Sequence, residues 1–140
     1  MKKRAPLTRA LTFGMAVLSM PTLALAQAVS VELGNTGELT GAGVVVPVTV
    51  ACMDFSRGAD VEVQLVQDAP NGQATGEGDI PFLATEPCRS TPQTVHVLVR
   101  PDTRQFDLGS AFAHAFLDAC DSTGRNCDHL RNDRNIEIVN

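Results

Sequence analysis

The chain contains no Trp and no Tyr, and its two lysines, Lys2 and Lys3, stand at the extreme N-terminus. Without large amphipathic rings there is no platform on which sugars or nucleobases would stack. No Cys-x-x-Cys occurs, so a thioredoxin-like redox role has no support. Gly-x-Ser-x-Gly is also missing and serines are few, which leaves no convincing nucleophilic triad. Apolar residues run on at length in one place only, Ala10 to Ala26. That run is about 17 residues, interrupted by Pro21, where a spanning helix needs roughly 20.

What is present gives the apolar run another reading. Lys2, Lys3, Arg4 and Arg9 precede it, and it closes on the small-x-small triplet Ala24-Leu25-Ala26. A basic start, a short greasy middle and that ending describe a secretory signal peptide over residues 1–26. Ala26-Gln27-Ala28 offers a second cut, after Ala28. With Gln27 as the first residue, the mature chain is 27–140, 114 residues, a length that suits one domain.

Four of the 11 basic residues leave with the leader, so seven arginines face 16 acids and the net charge is −9. Nucleic acid and anionic membrane surfaces both need positive charge, so neither is an expected partner. No membrane span is expected in the mature chain. Export, to the periplasm or outside the cell, puts Cys52, Cys88, Cys120 and Cys127 in an oxidising compartment. There an even set reads as two disulfides.

Period-two alternation dominates the mature sequence. The expected strands are 28–33, 44–52, 60–67, 94–100, 110–120 and 135–139, with a weak glycine-rich one at 73–80 that reads as an edge. Asn35-Thr36-Gly37 and 81–92 read as loop. Pro47 cannot donate to a ladder, which points to a bulge or an edge nearby. Ser110–Cys120 could be an alanine-rich helix capped by Ser110, but the regular spacing of its neighbours favours strand. Seven or eight short strands without crossover helices give an all-β fold, an antiparallel immunoglobulin-like β-sandwich. Its antibody hallmarks are missing, since Asp118 and not Tyr stands two residues before Cys120.

In that topology the B–C, D–E and F–G loops emerge at one end and carry all four cysteines. Strand order favours Cys52–Cys88 and Cys120–Cys127, with an inter-sheet Cys52–Cys120 bond as the competitor. The tail, Asp118-Ala119-Cys120 through Cys127 to Asn135-Ile136-Glu137-Ile138, resembles the end of the neocarzinostatin-type apoproteins. Those are small, acidic, exported Ig-like sandwiches with two disulfides. The resemblance implies the fold and a stapled F–G loop.

Candidate chemistry is sparse. His96, His114 and His129 have no metal-ligand spacing, and solvated or lightly packed histidines are expected, with His129 in the last loop. Asp118, Asp121, Asn126 and Asp128 could offer oxygen to calcium, but their spacing fits no calcium motif and they read as solubilising acids. No metal and no cofactor is expected, and no enzyme. The loop end remains. Arg57, Arg89 and Arg125 come one from each of its three loops, with Asp121 beside them, and Arg suits partner carboxylates or phosphates. The expected function is a small exported binding module that takes a protein or small ligand through this end. The alternatives are a structural or assembly component of the cell envelope working through strand edges, and a secreted protease inhibitor presenting loop 120–127.

Overall fold

A computed structural model describes residues 29–53 and 57–140. The leader at 1–26, both cleavage positions and Asp54–Ser56 lie outside the described residues. The described residues form eight strands: β1 (Ser30–Leu33), β2 (Thr36–Thr40), β3 (Gly43–Ala51), β4 (Arg57–Ala69), β5 (Gly72–Pro81), β6 (Gln93–Pro101), β7 (Gly109–Cys120) and β8 (Cys127–Val139). The fold is all-β, as the alternation requires, and among the described residues there is no helix.

The two expected sheets are joined. Hydrogen bonding runs through β3–β2–β8–β7–β4–β5–β6 and back to β3, so seven strands close into a barrel, with β1 added along the edge of β3. Neighbours are antiparallel except β2 and β8, which pair in parallel. Two strands make the closure. β2 takes one edge of β3 and reaches across to Glu137–Val139. β5 pairs with β4 over its whole length and touches β6 at Gly76 and Glu77.

Alternation fills the interior. Val44, Val46, Val48 and Val50 meet Val97 and Val99 from β6, Val61, Val63 and Leu65 from β4, and Ile136 and Ile138 from β8, all buried. Each such side chain contributes roughly 1.5–3 kcal/mol on leaving water. β7 presents Ala111, Ala113, Ala115, Leu117 and Ala119 inward, small residues facing the bulky ones opposite. Alanine favours helix in isolation, but here β7 is laddered on both sides, to β4 and along its full length to β8. Pairing and burial override propensity. The one buried polar side chain among the described residues, Gln67, is satisfied. It donates to Asp107 O (2.9 Å) and accepts from Asp107 N (2.8 Å), tying the 102–108 loop to the barrel.

Both sequence oddities sit at corners. Pro47 lies where β1 hands the edge of β3 over to β2. Its carbonyl accepts from Gly34 N (2.8 Å), and at that kink a missing N–H leaves no acceptor stranded. The glycines of 73–80 have a different explanation from the expected edge. A Cβ on Gly78 would lie 2.2 Å from Leu98 O, and one on Gly76 would lie 2.2 Å from Arg100 O. These glycines let β5 fold onto β6 and close the barrel.

Two further expectations are corrected. Thr36–Thr40 is strand, not loop, because its residues are shared between β3 and β8. The last strand begins at Cys127 and not at 135, which puts His129 on β8 opposite Asp118. Its first half is mostly polar: of its inward-parity positions Leu130 packs against the core, while Asn132 and Arg134 bond to β1. Asn132 Oδ1 accepts from Leu33 N (3.0 Å), and Arg134 donates to Leu33 O (2.7 Å).

Candidate ligand-binding end of the barrel

β3, β5 and β7 finish, and β4, β6 and β8 start, at the same end of the barrel, so Cys52, the 82–92 loop and the 121–126 turn lie together there. Both disulfides hold them. Cys52–Cys88 joins the end of β3 to the long loop (Cα–Cα 5.6 Å), and Cys120–Cys127 closes the β7–β8 turn across directly opposed residues. The Cys52–Cys120 alternative is not formed. Two disulfides fit an oxidising compartment.

The long loop is anchored at several points. Phe82 N donates to Ala59 O (2.8 Å), Cys52 N donates to Arg89 O (2.7 Å), and Leu83 and Glu86 form a bridge. Between this loop and the separating ends of β5 and β6 lies an open groove of about 390 Å³. Its apolar walls come from Ile80, Phe82, Leu83, Pro87 and Val95, and Glu86, Arg89 and Thr94 stand among them. Leu83, one of these walls, is 60 % exposed. The sequence reading missed this groove. Its signal was Pro81-Phe82-Leu83 beside Pro87, apolar residues in a loop that also holds a cysteine.

The β7–β8 turn is built around Asp121. One carboxylate oxygen accepts from the Thr123 hydroxyl (2.6 Å) and Thr123 N (2.9 Å), and the other from the Asn126 amide (2.6 Å). These bonds, the Thr123 hydroxyl first, hold its pKa down at about 2. Gly124 takes the positive φ (70°) that the turn demands. Asp121 therefore shapes the turn that presents Arg125.

The four sequence-chosen residues are brought to one end, and of them Asp121 and Arg125 meet, through Arg125 N and Asp121 Oδ1 (3.4 Å). Arg57 opens β4, its backbone opposite Cys120. Arg89 lines the groove and Arg125 is exposed on the turn. Among the described residues neither the Arg89 nor the Arg125 guanidinium has an ion-pair partner. Both can reach an incoming anion.

The histidines and acids lie on the outer wall. His114 stacks edge-on to Phe112 (4.8 Å between centroids) and meets Asp133 (2.7 Å) and Arg131 (2.8 Å) through Nδ1. Nδ1 cannot donate and accept at once, so the Asp133 contact needs a hydrogen on Nδ1 and the Arg131 contact needs a bare Nδ1. Arg131, then His114, holds the Asp133 carboxyl below its usual range. His129 pairs with Asp118. Asp60 is pushed up by burial and then by Asp118, Asp79 and Glu62. His96 is on β6, away from both. Among the described residues no three His, Cys, Asp or Glu side chains converge on a metal geometry, and no helix is long and apolar enough to cross a membrane. Compared with models of protein families and with curated proteins, the chain matches none.

Proposed function

We propose that the protein is a small non-catalytic binding domain, exported to the periplasm or the medium, that takes its ligand at the disulfide-held end. The observation that carries this reading is the groove between β5, β6 and the 82–92 loop. It is of small-ligand size, mostly apolar, lined by a few polar groups and by Arg89, which has no ion-pair partner among the described residues. Its walls are tied by Cys52–Cys88 and by main-chain bonds, so little ordering would accompany binding. Arg57, Arg89 and Arg125 are the anion-seeking groups, and Asp121 holds Arg125 in place.

The barrel is read as a flattened immunoglobulin-like sandwich. Support comes from its two antiparallel groups, β1–β3–β6 and β8–β7–β4–β5, which are linked through β2 and the short β5–β6 contact. The neocarzinostatin-type resemblance of the tail lends the stapled hairpin and no ligand. The inhibitor alternative has less support. The 121–126 main chain curls back on itself, with Asp121 N bonded to Asn126 O and Gly124 N to Asp121 O, where a protease would need an extended segment.

The test is affinity capture from the exported fraction with the oxidised protein and with an Arg57→Ala, Arg89→Ala, Arg125→Ala triple variant. The variant is expected to keep its circular dichroism spectrum and lose the captured partner. Equal capture by both proteins would overturn the assignment of these arginines.

A further inference from the structure

The barrel is closed at β5–β6 by two residue pairs only, Gly76 with Pro101 and Glu77 with Arg100. Towards the disulfide end the two strands separate, and the main-chain geometry of β6 decides what faces the gap. The Pro47 carbonyl points away from β6, towards Gly34. Polar groups alternate along a strand, so the odd-numbered residues of β3 turn to β1 and β2 and the even-numbered ones to β6. Through the register Pro47 opposite His96, the odd-numbered residues of β6 bond β3, and Thr94, His96 and Leu98 turn their N–H and C=O outward. The glycines of β5 agree, because Leu98 O and Arg100 O are the atoms that a Cβ on Gly78 or Gly76 would strike.

Leu98 O is thus capped by Gly78. Thr94 and His96 are not. Among the described residues no strand lies on that side of Gln93–His96. Thr94 lines the 390 Å³ groove, and His96 lines a second hollow of about 350 Å³ beside Leu98 and Asp79, with Ile80 bordering both.

We infer that this gap is a strand-addition site and that its occupant is an extended segment of another polypeptide, lying along β6. The inference rests on the binding reading above and names the partner of that groove. Alternating donors and acceptors at 94 and 96 are matched by an extended main chain, not by a compact small molecule. The open edge from Gln93 to His96 spans about 10–13 Å, the length of three or four residues, and a bound segment would extend beyond it at either end. Alternate side chains of such a segment would meet the apolar wall of Ile80, Phe82 and Val95, with the others directed to solvent. A second copy of the barrel is the less favoured occupant, because residues of β5 and of the 82–92 loop both line the groove beside β6.

The test uses random peptides of about seven residues, displayed and selected on the oxidised protein. Bound peptides are expected to slow amide exchange at Thr94 and His96 about tenfold or more. N-methylation of alternate peptide nitrogens should weaken binding by about tenfold, the size of one lost main-chain hydrogen bond. His96→Pro removes a donor on the open side without touching the β3 ladder, and should weaken the same peptides similarly. If that variant misfolds, the N-methyl peptides give the result alone. Failure to select any peptide, or selected peptides that leave exchange at Thr94 and His96 unchanged, overturns the inference. Peptides that bind along β6 but ignore Arg89→Ala and Arg125→Ala would instead retire the arginine reading and leave the strand site standing.

Discussion

Replacing Gly78 by alanine should destabilise the protein, where an ordinary strand glycine would give the opposite sign. Glycine inside a strand weakens it by roughly 0.5–1 kcal/mol relative to alanine, so an exposed edge would gain from the change. At Gly78, however, the new methyl would lie 2.2 Å from Leu98 O, 2.8 Å from its carbonyl carbon and 3.1 Å from Val99 Cα. All three are backbone atoms of β6, which is held on its other side by β3, so no side-chain rotation relieves the clash. β5 must retreat by about 1 Å, and overpacking of this kind costs roughly 1–3 kcal/mol. Subtracting the gain leaves a net destabilisation centred on about 1 kcal/mol and reaching about 2.5 kcal/mol, and the two β5–β6 pairs go with it. Urea unfolding of the oxidised protein followed by far-UV circular dichroism measures this, since the chain has no Trp or Tyr to report by fluorescence. Gly41→Ala, with nothing within 4 Å of its added methyl, is the control and should change stability little. A Gly78→Ala protein as stable as the parent would mean that β5 does not close the barrel.

The other expectations are briefer. Removing Cys52–Cys88 by a double alanine substitution should cost about 4 kcal/mol, and removing Cys120–Cys127 about 2.5 kcal/mol, from separations of 36 and 7 residues. Chemical denaturation that ranked them in the reverse order would refute the loop-entropy account. Asp121 has its pKa lowered to about 2, so its turn-holding bonds are present above pH 4 and are lost as pH falls through about 2. The Thr123 amide shift should titrate with a midpoint near 2, and a midpoint near 4 would contradict the bonding described. Asp60 is raised, so its charge opposes folding at neutral pH, and that penalty fades as the group protonates in acid. Asp60→Asn should therefore raise Tm slightly at pH 7, by about 2 °C on the scale of exposed charge interactions, and have no effect at pH 3.

Much of the barrel was legible because alternation is a direct signal of burial. Val44 to Val50, Val61 to Leu65 and Ala111 to Ala119 each mark one wall, and strand order alone favoured both disulfide pairs. The closure was not legible. Whether glycines at 76 and 78 mean a weak edge or a close approach depends on where β6 lies, and local sequence does not carry that. The first half of β8 was hidden for a related reason. Asp128 to Asn135 lacks an apolar stripe, because there the strand is held by β7 on one side and by the Asn132 and Arg134 bonds to β1 on the other. Arg57, Arg89 and Arg125 were chosen from expected loop positions, and the topology puts all three at one end, Arg57 as the first residue of β4. The groove was missed because Ile80 and Val95 join its wall only once β5 and β6 diverge.

The account stands most directly on where a partner touches the protein. With any captured partner or selected peptide, amide shift mapping on the ¹⁵N-labelled, oxidised protein reads this in one experiment. Perturbations are expected at Leu83, Arg89, Thr94 and His96, and at Arg125 on the neighbouring turn. Perturbations confined to the outer wall at Phe112, His114, Phe116 and Arg131, with the disulfide end unchanged, would contradict it.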